Sequence, residues 1–201
     1  MVIISGRSIG DLVPLLGLDP LPEILGCHGL EHRWPDGEYW ILPVPDDVLR
    51  GLATADDWAA QEGLAARCEA KPGCLALHWR GLSLGYAGHI RAKAIEKWGQ
   101  LAPRWGLQIK EFNGGIELRP AGINKGNAVE AVLAGSPRGV LGVYLGDDLT
   151  DEDAFAALEG RGVGILVGFE SRPTRAQMRL RPPGEVLDFL RAWASAGRRA
   201  V

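Results

Sequence analysis

Residues 140–155 read VLGVYLGDDLTDEDAF, an apolar run that ends in a glycine and is followed by five acidic residues within seven positions. The apolar part is short, partly β-branched or aromatic, and bounded by glycines, which predicts a buried strand rather than a helix. Thr150 and Asp153 have the spacing of a capping box, so a helix is predicted to begin near Thr150. Asp147 and Asp148 then lie at the carboxyl end of a strand, where open α/β sheets bind their ligands.

The five acidic residues divide into two groups with different explanations. Asp151, Glu152 and Asp153 fall in the first helical turn, where the helix dipole favours each negative charge by about 0.3–1 kcal/mol. Asp147 and Asp148 precede the helix, and neighbouring carboxylates at a strand end suit Mg²⁺. A metal site and a solvated acidic loop both remain open for this pair. An EF-hand is excluded, because the sixth position counted from Asp147 is Glu152 rather than glycine.

The composition limits the classes of function. A chain of 201 residues forms one large domain or two small ones, and a net charge of −3 argues against a nucleic-acid partner. Three cysteines without a framework spacing predict reduced thiols in a cytoplasmic protein. The sequence contains no apolar run long enough for a membrane span, and its opening segment, MVIIS, has no basic region typical of a signal peptide.

Two further segments have features of anion-binding sites. Ser5, Gly6 and Arg7 follow an apolar run, so a hydroxyl, an amide and a guanidinium form a plausible anion cradle at a strand tip. The alternative is a serine that caps a helix beside a solvated arginine. Lys125 lies at the start of a predicted helix, where the dipole disfavours a cation, so it is a candidate for anion contact or an ordinary surface lysine.

Residues 44–119 differ from the sequence on either side in the order of their predicted helices and strands. They read as a helix, a hairpin turning at Pro72-Gly73, a second helix and a hairpin turning at Asn113-Gly114. This order predicts a two-layer α+β unit inserted into a larger domain. The inserted domain is assigned to residues 44–119, and the core to residues 1–43 and 120–201.

The first of these hairpins is predicted to have one apolar and one polar face, because side chains alternate along a strand. The polar face carries Glu69, Lys71, His78 and Arg80. By contrast, His28 and His32 are interpreted as structural or surface residues, since nothing near them in the sequence completes a metal site.

Ser5-Gly6-Arg7, Asn124-Lys125-Gly126 and GDDLTDEDAF, in this order, resemble the trehalose-6-phosphate phosphatases, a branch of the haloacid dehalogenase-like superfamily. The resemblance covers nearly the whole chain, including the insert. It implies an α/β fold, with a Rossmann-like haloacid dehalogenase-type core and an inserted α+β cap domain. The implied activity is the Mg²⁺-dependent hydrolysis of trehalose 6-phosphate to trehalose and phosphate.

The resemblance also implies a role for individual residues. Ser5 would hold phosphoryl oxygens, Lys125 would offset the charge on nucleophile and phosphate, and Asp151 would position Lys125. Asp147 would bind Mg²⁺, and Asp148 would reach the metal through water. The residues that would bind the substrate are Gly6 and Arg7 in the core and, facing the glucose rings from the cap, Glu69, Lys71, His78, Arg80, Glu117 and Arg119.

One part of the family pattern is missing. These phosphatases transfer phosphate to an aspartate of a DxD motif on their first strand, and no DxDGT occurs in this chain. Asp151 and Asp153 have the DxD spacing but precede a helix. That first strand is normally central, so its absence should leave two unpaired inner edges or force the remaining strands to close up.

Two hypotheses of different classes follow from the missing strand. The first is an enzyme whose sequence is truncated by a late start codon at Met1, or whose first strand comes from a partner chain as in a split enzyme. The second is a catalytically inactive protein that binds a sugar phosphate. The retention of Ser5, Lys125, Asp147 and Asp151 favours the enzyme.

Overall fold

The computed structural model describes residues 1–169 and 171–197, which form eleven strands and six α-helices. The strands are β1 (Val2–Ile4), β2 (Glu23–Gly26), β3 (Glu31–Arg33), β4 (Tyr39–Ile41), β5 (Cys68–Lys71), β6 (Cys74–His78), β7 (Leu107–Phe112), β8 (Gly115–Pro120), β9 (Gly142–Gly146), β10 (Gly162–Val167) and β11 (Met178–Leu180). The helices are α1 (Ile9–Leu16), α2 (Asp46–Gln61), α3 (Leu84–Arg104), α4 (Lys125–Ala134), α5 (Glu152–Ala157) and α6 (Gly184–Gly197). Every helix in this part of the chain is too short or too polar to cross a membrane.

The predicted strand before the acidic residues is confirmed as β9, and helical structure begins within one residue of the predicted Thr150, but the predicted capping pair is wrong. A single 3₁₀ turn covers Leu149–Asp151, and α5 begins only at Glu152. The capping box is formed by Asp148 and Asp151 rather than by Thr150 and Asp153. Asp148 caps the turn in place of Thr150 because it follows the end of β9 closely. Its carboxylate accepts the amide of Leu149, the first residue of the turn, at 2.6 Å.

The predicted α+β unit has the expected order of elements. Its sheet has the strand order β5-β6-β8-β7 and is antiparallel throughout, with both hairpins turning where predicted. Leu75 and Leu77 of β6 pack with Trp98 of α3 on the apolar face. The opposite face of the sheet is directed towards the rest of the protein and carries Lys71 and Glu117. The assignment of residues 44–119 as an inserted domain stays a prediction.

The remaining strands form two separate sheets. One has the order β1-β2-β3-β4, with β1 and β2 parallel, and the other is a parallel sheet in the order β11-β10-β9. Among the described residues, β1 and β9 are therefore both edge strands. Both strands nevertheless pack against the same apolar cluster, since Ile4 of β1 and Tyr144 of β9 both contact the cluster of Val129 and Leu158.

An apolar cleft separates these two edges. It has a volume of about 140 Å³ and is lined by Val2, Ile4, Val129, Val132, Leu133, Gly142, Val143, Tyr144 and Leu158. The strands have thus not closed up on each other. Of the two outcomes expected for a missing central strand, the structure has the unpaired edges.

We expect the 201-residue chain alone to self-associate through these edges, because unpaired strand edges bind other strands. Light scattering should rise steeply with protein concentration. Amide exchange should be fast in β9 and slow in β8, which lies between two partner strands and serves as the internal control. A chain that stays monomeric at high concentration, with β9 as well protected as β8, would contradict this prediction.

Candidate active site

Loops and strands of all three sheets meet at one polar cavity of about 300 Å³. Its lining consists of Ser5, Gly6, Arg7, His28, Glu69, Lys71, His78, Arg80, Phe112, Glu117, Lys125, Asp147, Asp148 and Thr150. The structure therefore brings together residues that are far apart in the sequence. Of the site residues predicted from the sequence, Asp151 and Arg119 lie behind this lining.

The loop after β1 is held in place by backbone hydrogen bonds. The amide of Ser5 donates to the Leu25 carbonyl at 2.9 Å, and the Ser5 hydroxyl oxygen accepts the amide of Arg7 at 3.1 Å. The cap of α1 is Ser8, whose hydroxyl accepts the Asp11 amide. Because Ser8 already caps the helix, Ser5 is not required there and presents its hydroxyl to the cavity.

Lys125 and Asp151 form the buried centre of the core end of the cavity. The Lys125 ammonium donates to Asp151 Oδ1 at 2.7 Å, and the Tyr144 hydroxyl donates to the same oxygen at 2.7 Å. Asp151 Oδ2 accepts the amides of Asp147 and Asp148 at 2.9 and 2.8 Å. One carboxylate thus fixes both the lysine and the backbone that carries the two acids at the end of β9.

These contacts also change proton affinities. Burial raises the pKa of Asp151, but the Lys125 ammonium and the hydrogen bonds it accepts outweigh burial and hold that pKa below its usual range. Burial and the neighbouring Asp151 charge raise the pKa of Tyr144. Asp151 is therefore an ionised acceptor and Tyr144 a neutral donor.

Asp151→Asn should lower the free energy of unfolding by about 3 kcal/mol, because it leaves the buried Lys125 charge without its partner. The matched control is Asp188→Asn, which removes an exposed pair with Arg191 and should change stability by less than about 0.5 kcal/mol. Chemical denaturation at neutral pH, at a protein concentration too low for self-association, measures both. Equal effects of the two substitutions would contradict the assigned role of Asp151.

The pH dependence of this difference follows from the lowered pKa of Asp151. A carboxylate of lowered pKa stabilises the fold above its unfolded pKa of about 3.9, and this contribution is lost as the pH falls through the folded value. The stability difference between wild type and Asp151→Asn should therefore be full at neutral pH and shrink below about pH 4.

Asp147 and Asp148 differ in how free their carboxylates are. The Asp147 carboxylate accepts no hydrogen bond from the described residues, and it lies at the edge of the cavity. Asp148 Oδ1 accepts the amides of Leu149 and, at 3.2 Å, of Asn113 in the β7–β8 turn. No group of three or more His, Cys, Asp and Glu side chains in residues 1–169 and 171–197 is arranged to hold a metal ion. The pair still fits Mg²⁺, which is usually bound by one or two carboxylates together with substrate phosphate and water.

Glu152 and Asp153 have partners beyond the helix dipole. Glu152 accepts hydrogen bonds from Arg172, Thr174 and the amide of Arg175, so it fixes the segment before β11 to the acidic loop. Asp153 lies 3.6 Å from the Lys110 ammonium on β7. The dipole explanation of these acids was incomplete, because their long-range partners leave no local signal in the sequence.

Glu117 is the centre of the other end of the cavity. Lys71 donates to its Oε1 at 2.6 Å, and His28 Nε2 lies 2.7 Å from its Oε2. Burial alone raises the pKa of Glu117, but the hydrogen bond from His28 and the charge of Lys71 outweigh it and hold the pKa below its usual range. Glu117 is therefore an ionised acceptor beside open polar space.

The other predicted cap residues surround Glu117 on the wall of the cavity. Glu69 Oε2 and His78 Nε2 are 2.7 Å apart, and Phe112 packs edge-on against the His78 ring. The Arg80 guanidinium donates to the Asn113 carbonyl, which fixes it to the same turn that contacts Asp148. An aromatic ring next to paired polar groups is suited to a sugar face, and the sequence analysis had not identified Phe112.

Arg119, which the resemblance assigns to the glucose rings, is buried in the structure. Its side chain is 0% exposed and is absent from the cavity lining. The guanidinium lies 3.6 Å from Glu117 and 3.7 Å from Asp153 of α5. Burial lowers the Arg119 pKa, and the carboxylates of Glu117 and Asp153 oppose this shift. Arg119 thus lies beside Glu117 outside the cavity lining, and its contact with the glucose rings stays a prediction.

His28 is the main site residue that the sequence analysis missed. It was interpreted as structural or surface, whereas it is buried, lines the cavity and contacts Glu117. His32, by contrast, pairs with Glu23 at 2.8 Å outside the cavity, as a structural residue would. Nothing in the local sequence distinguishes the two histidines, because the partner of His28 belongs to a distant strand.

Comparison with known proteins gives a consistent result. A family model described as trehalose-phosphatase matches residues 1–183. The trehalose-6-phosphate phosphatase of Escherichia coli (strain K12) is 31% identical over 193 residues, an alignment that covers 94% of this chain and 70% of that protein. Several other curated relatives are longer, and the chain spans about half of their length or less.

Solved structures are similar over nearly the whole chain. The C-terminal domain of a trehalose-6-phosphate phosphatase from C. albicans has a TM-score of 0.79 at 22% identity, covering 93% of this chain and 75% of that one. A phosphatase of the haloalkanoate (HAD) superfamily from Bacteroides thetaiotaomicron has a TM-score of 0.63 at 15% identity, covering 96% and 81%. The fold is therefore of the Rossmann-like haloacid dehalogenase type, as the resemblance implied.

Proposed function

This chain belongs to the trehalose-phosphatase family, and we propose that it forms the phosphate-binding and sugar-binding parts of an enzyme that hydrolyses trehalose 6-phosphate. The family and the E. coli relative indicate trehalose-6-phosphate phosphatase activity. One observation carries the proposal for this chain: a single cavity joins Ser5, Lys125 and Asp147 to the sugar-facing Glu117. It offers cationic and hydroxyl groups for a phosphate beside paired polar groups for a sugar.

The nucleophile is assigned to a strand outside the 201 residues. Asp151 and Asp153 have the right spacing, but Asp151 is bonded to Lys125, and Asp153 faces Lys110 and Arg119. The cleft between β1 and β9 supports this assignment, because both strands end at the active-site cavity, at Ser5 and Asp147. A strand between them, running in the same direction, would deliver its carboxyl end to the same place.

Asp147, with Asp148 behind it, would hold Mg²⁺ together with phosphate oxygens. When bound, Mg²⁺ supplies positive charge that stabilises the phosphoryl group during transfer. The Ser5 hydroxyl, neighbouring amides and the Arg7 guanidinium would bind the phosphoryl oxygens, and Lys125 would neutralise charge while Asp151 holds it in place. Glu117 and Lys71 would orient the sugar hydroxyls.

The reaction that the family resemblance implies then proceeds in two balanced steps. The phosphoryl group is transferred from the sugar oxygen to an aspartate of the strand assigned outside the 201 residues, and a second acid of that strand protonates the sugar oxygen. Water then attacks the phosphorylated aspartate while the second acid, now a carboxylate, takes a proton from that water, which releases phosphate, regenerates the nucleophilic carboxylate and restores the second acid. A cytoplasmic location, with trehalose 6-phosphate as the partner molecule, belongs to the same proposal.

A second candidate is a protein that binds trehalose 6-phosphate without hydrolysing it. It is favoured by one observation, namely that the polar groups of Glu117, Lys71 and Lys125 are paired and ordered without any added strand. Supplying the chain with a strand that carries DxD at its carboxyl end distinguishes the two. Mg²⁺-dependent phosphate release supports the enzyme, and strand binding without turnover supports the binding protein.

A further inference from the structure

The turn between β2 and β3 has an unusual backbone. Cys27, His28 and Gly29 have φ values of 46°, 59° and 107°, three left-handed conformations in succession. In the part of the chain that the structure describes, Cys27 and His28 are the only residues other than glycine with positive φ. A side chain with a Cβ disfavours this conformation, and such strain concentrates at functional sites where surrounding contacts maintain it.

The contacts that maintain this turn come from the loop Ser5–Arg7 after β1, which is proposed to bind phosphate and is called the phosphate loop below. The Cys27 amide donates to the Arg7 carbonyl, and the His28 amide donates to the Ser5 carbonyl, both at 2.8 Å. The imidazole lies against Gly6, where a Cβ would be only 2.8 Å from ring atoms Cε1 and Nε2. Gly6 therefore leaves the space that the His28 ring occupies.

The strained turn directs His28 at Glu117. Its Nε2 is 2.7 Å from Glu117 Oε2, and Lys71 joins Glu117 Oε1 to the Gly6 carbonyl with bonds of 2.6 and 3.0 Å. A closed ring of contacts thus runs from Gly6 through His28, Glu117 and Lys71 back to Gly6. Two of these bonds cross from the core loop to the β5-β6-β8-β7 sheet.

The protonation of His28 fits a fixed donor. Its Nδ1 is buried without a hydrogen-bond partner, so a proton there would be unpaired, whereas a proton on Nε2 faces Glu117. Burial lowers the pKa of His28, although Glu117 opposes this shift. The histidine therefore donates to the ionised Glu117 as a neutral imidazole. Arg119 and Lys125 also disfavour its protonation.

We propose that His28 is a positioning residue that sets the distance between the phosphate loop and the sugar-binding carboxylate of Glu117. This inference rests on the proposed function. A ligand that spans both ends of the cavity depends on that distance, whereas phosphate alone does not. His28 thus contributes to the preference for the disaccharide phosphate over smaller phosphates.

The test measures the affinity of three ligands for the chain in complex with a supplied strand. The DxD of that strand is changed to NxN, so that no ligand is hydrolysed. His28→Asn keeps a residue that tolerates the left-handed backbone but is too short to reach Glu117. We expect affinity for trehalose 6-phosphate to fall about 10- to 100-fold, as for loss of a hydrogen bond to a charged group, and affinities for glucose 6-phosphate and inorganic phosphate to fall less than about threefold.

Two further variants separate positioning from folding. His28→Gln retains an amide donor at the position of Nε2 and should restore most of the affinity, and His32→Gln should have no effect because His32 lies outside the cavity. If His28→Asn lowered the affinities for all three ligands equally, or left the preference for trehalose 6-phosphate unchanged, the proposed role of His28 would be overturned but the proposed function would not. A wild-type complex that does not prefer trehalose 6-phosphate to phosphate would overturn the proposed function together with it.

Discussion

The 201-residue chain alone should release no phosphate from trehalose 6-phosphate above background, with or without Mg²⁺. Lys125 and a metal ion stabilise charge, but they serve a covalent step that needs a nucleophile, and the carboxylate of Asp147 at the cavity, unpaired among the described residues, is assigned to the metal rather than to that role. Asp151 cannot substitute, since accepting the phosphoryl group would break its bonds to Lys125 and Tyr144. Turnover by the chain alone within the usual enzyme range of about 1–10³ s⁻¹ would refute this argument.

Supplying the strand should reverse the result. A fused or separate apolar strand ending in DxD is expected to fill the cleft between β1 and β9 and restore turnover into the range of about 1–10³ s⁻¹. The matched control is the same strand with NxN, which should bind equally well and protect the edge of β9 without restoring activity. Phosphate release is measured in both cases, and amide protection of β9 reports binding. Activity with the NxN strand would place the nucleophile within the chain.

The sequence predicted the fold and most of the cavity because these depend on local patterns. Strand β9 ends where the apolar run ends, and both hairpins turn at the predicted glycines. Strands β1 and β9 both end at the cavity, so Ser5 and Asp147 line it together even though they are distant in the chain. The resemblance then supplied the cap residues that local patterns could only assign to a face.

The failures concern depth and distant contacts. Glu117 and Arg119 are two residues apart on β8 and therefore share a face, but this periodicity does not reveal that Arg119 is buried beside Asp153 while Glu117 lines the cavity. His28 gains its meaning from Glu117 and from a backbone conformation that histidine seldom adopts. Neither feature is encoded in neighbouring residues, so only the assembled structure identifies His28.

In the active complex with its strand, Glu117→Gln should separate the two ends of the cavity. Glutamine keeps the shape of the side chain but removes the charge that Lys71 and His28 hold in place. A weakened buried polar site loses substrates that depend on its hydrogen bonds. We expect kcat/KM for trehalose 6-phosphate to fall about 100-fold, as for a charged hydrogen bond, and that for glucose 6-phosphate to fall less than about threefold. Glu111→Gln, which removes a surface pair with Arg91, is the matched control and should change neither.

Asp147→Ala should act on both substrates alike. Asp147 lines the cavity and is assigned to the metal and phosphate, which both substrates share, so its loss is expected to lower both kcat/KM values by at least about 10³-fold. The two variants are informative together. An equal loss of kcat/KM for both substrates identifies the phosphate end of the site, and a loss for trehalose 6-phosphate alone identifies the sugar end. If Glu117→Gln lowered both values by the same factor, the cap would act only as a lid that excludes water, and sugar recognition would have to be assigned to other residues.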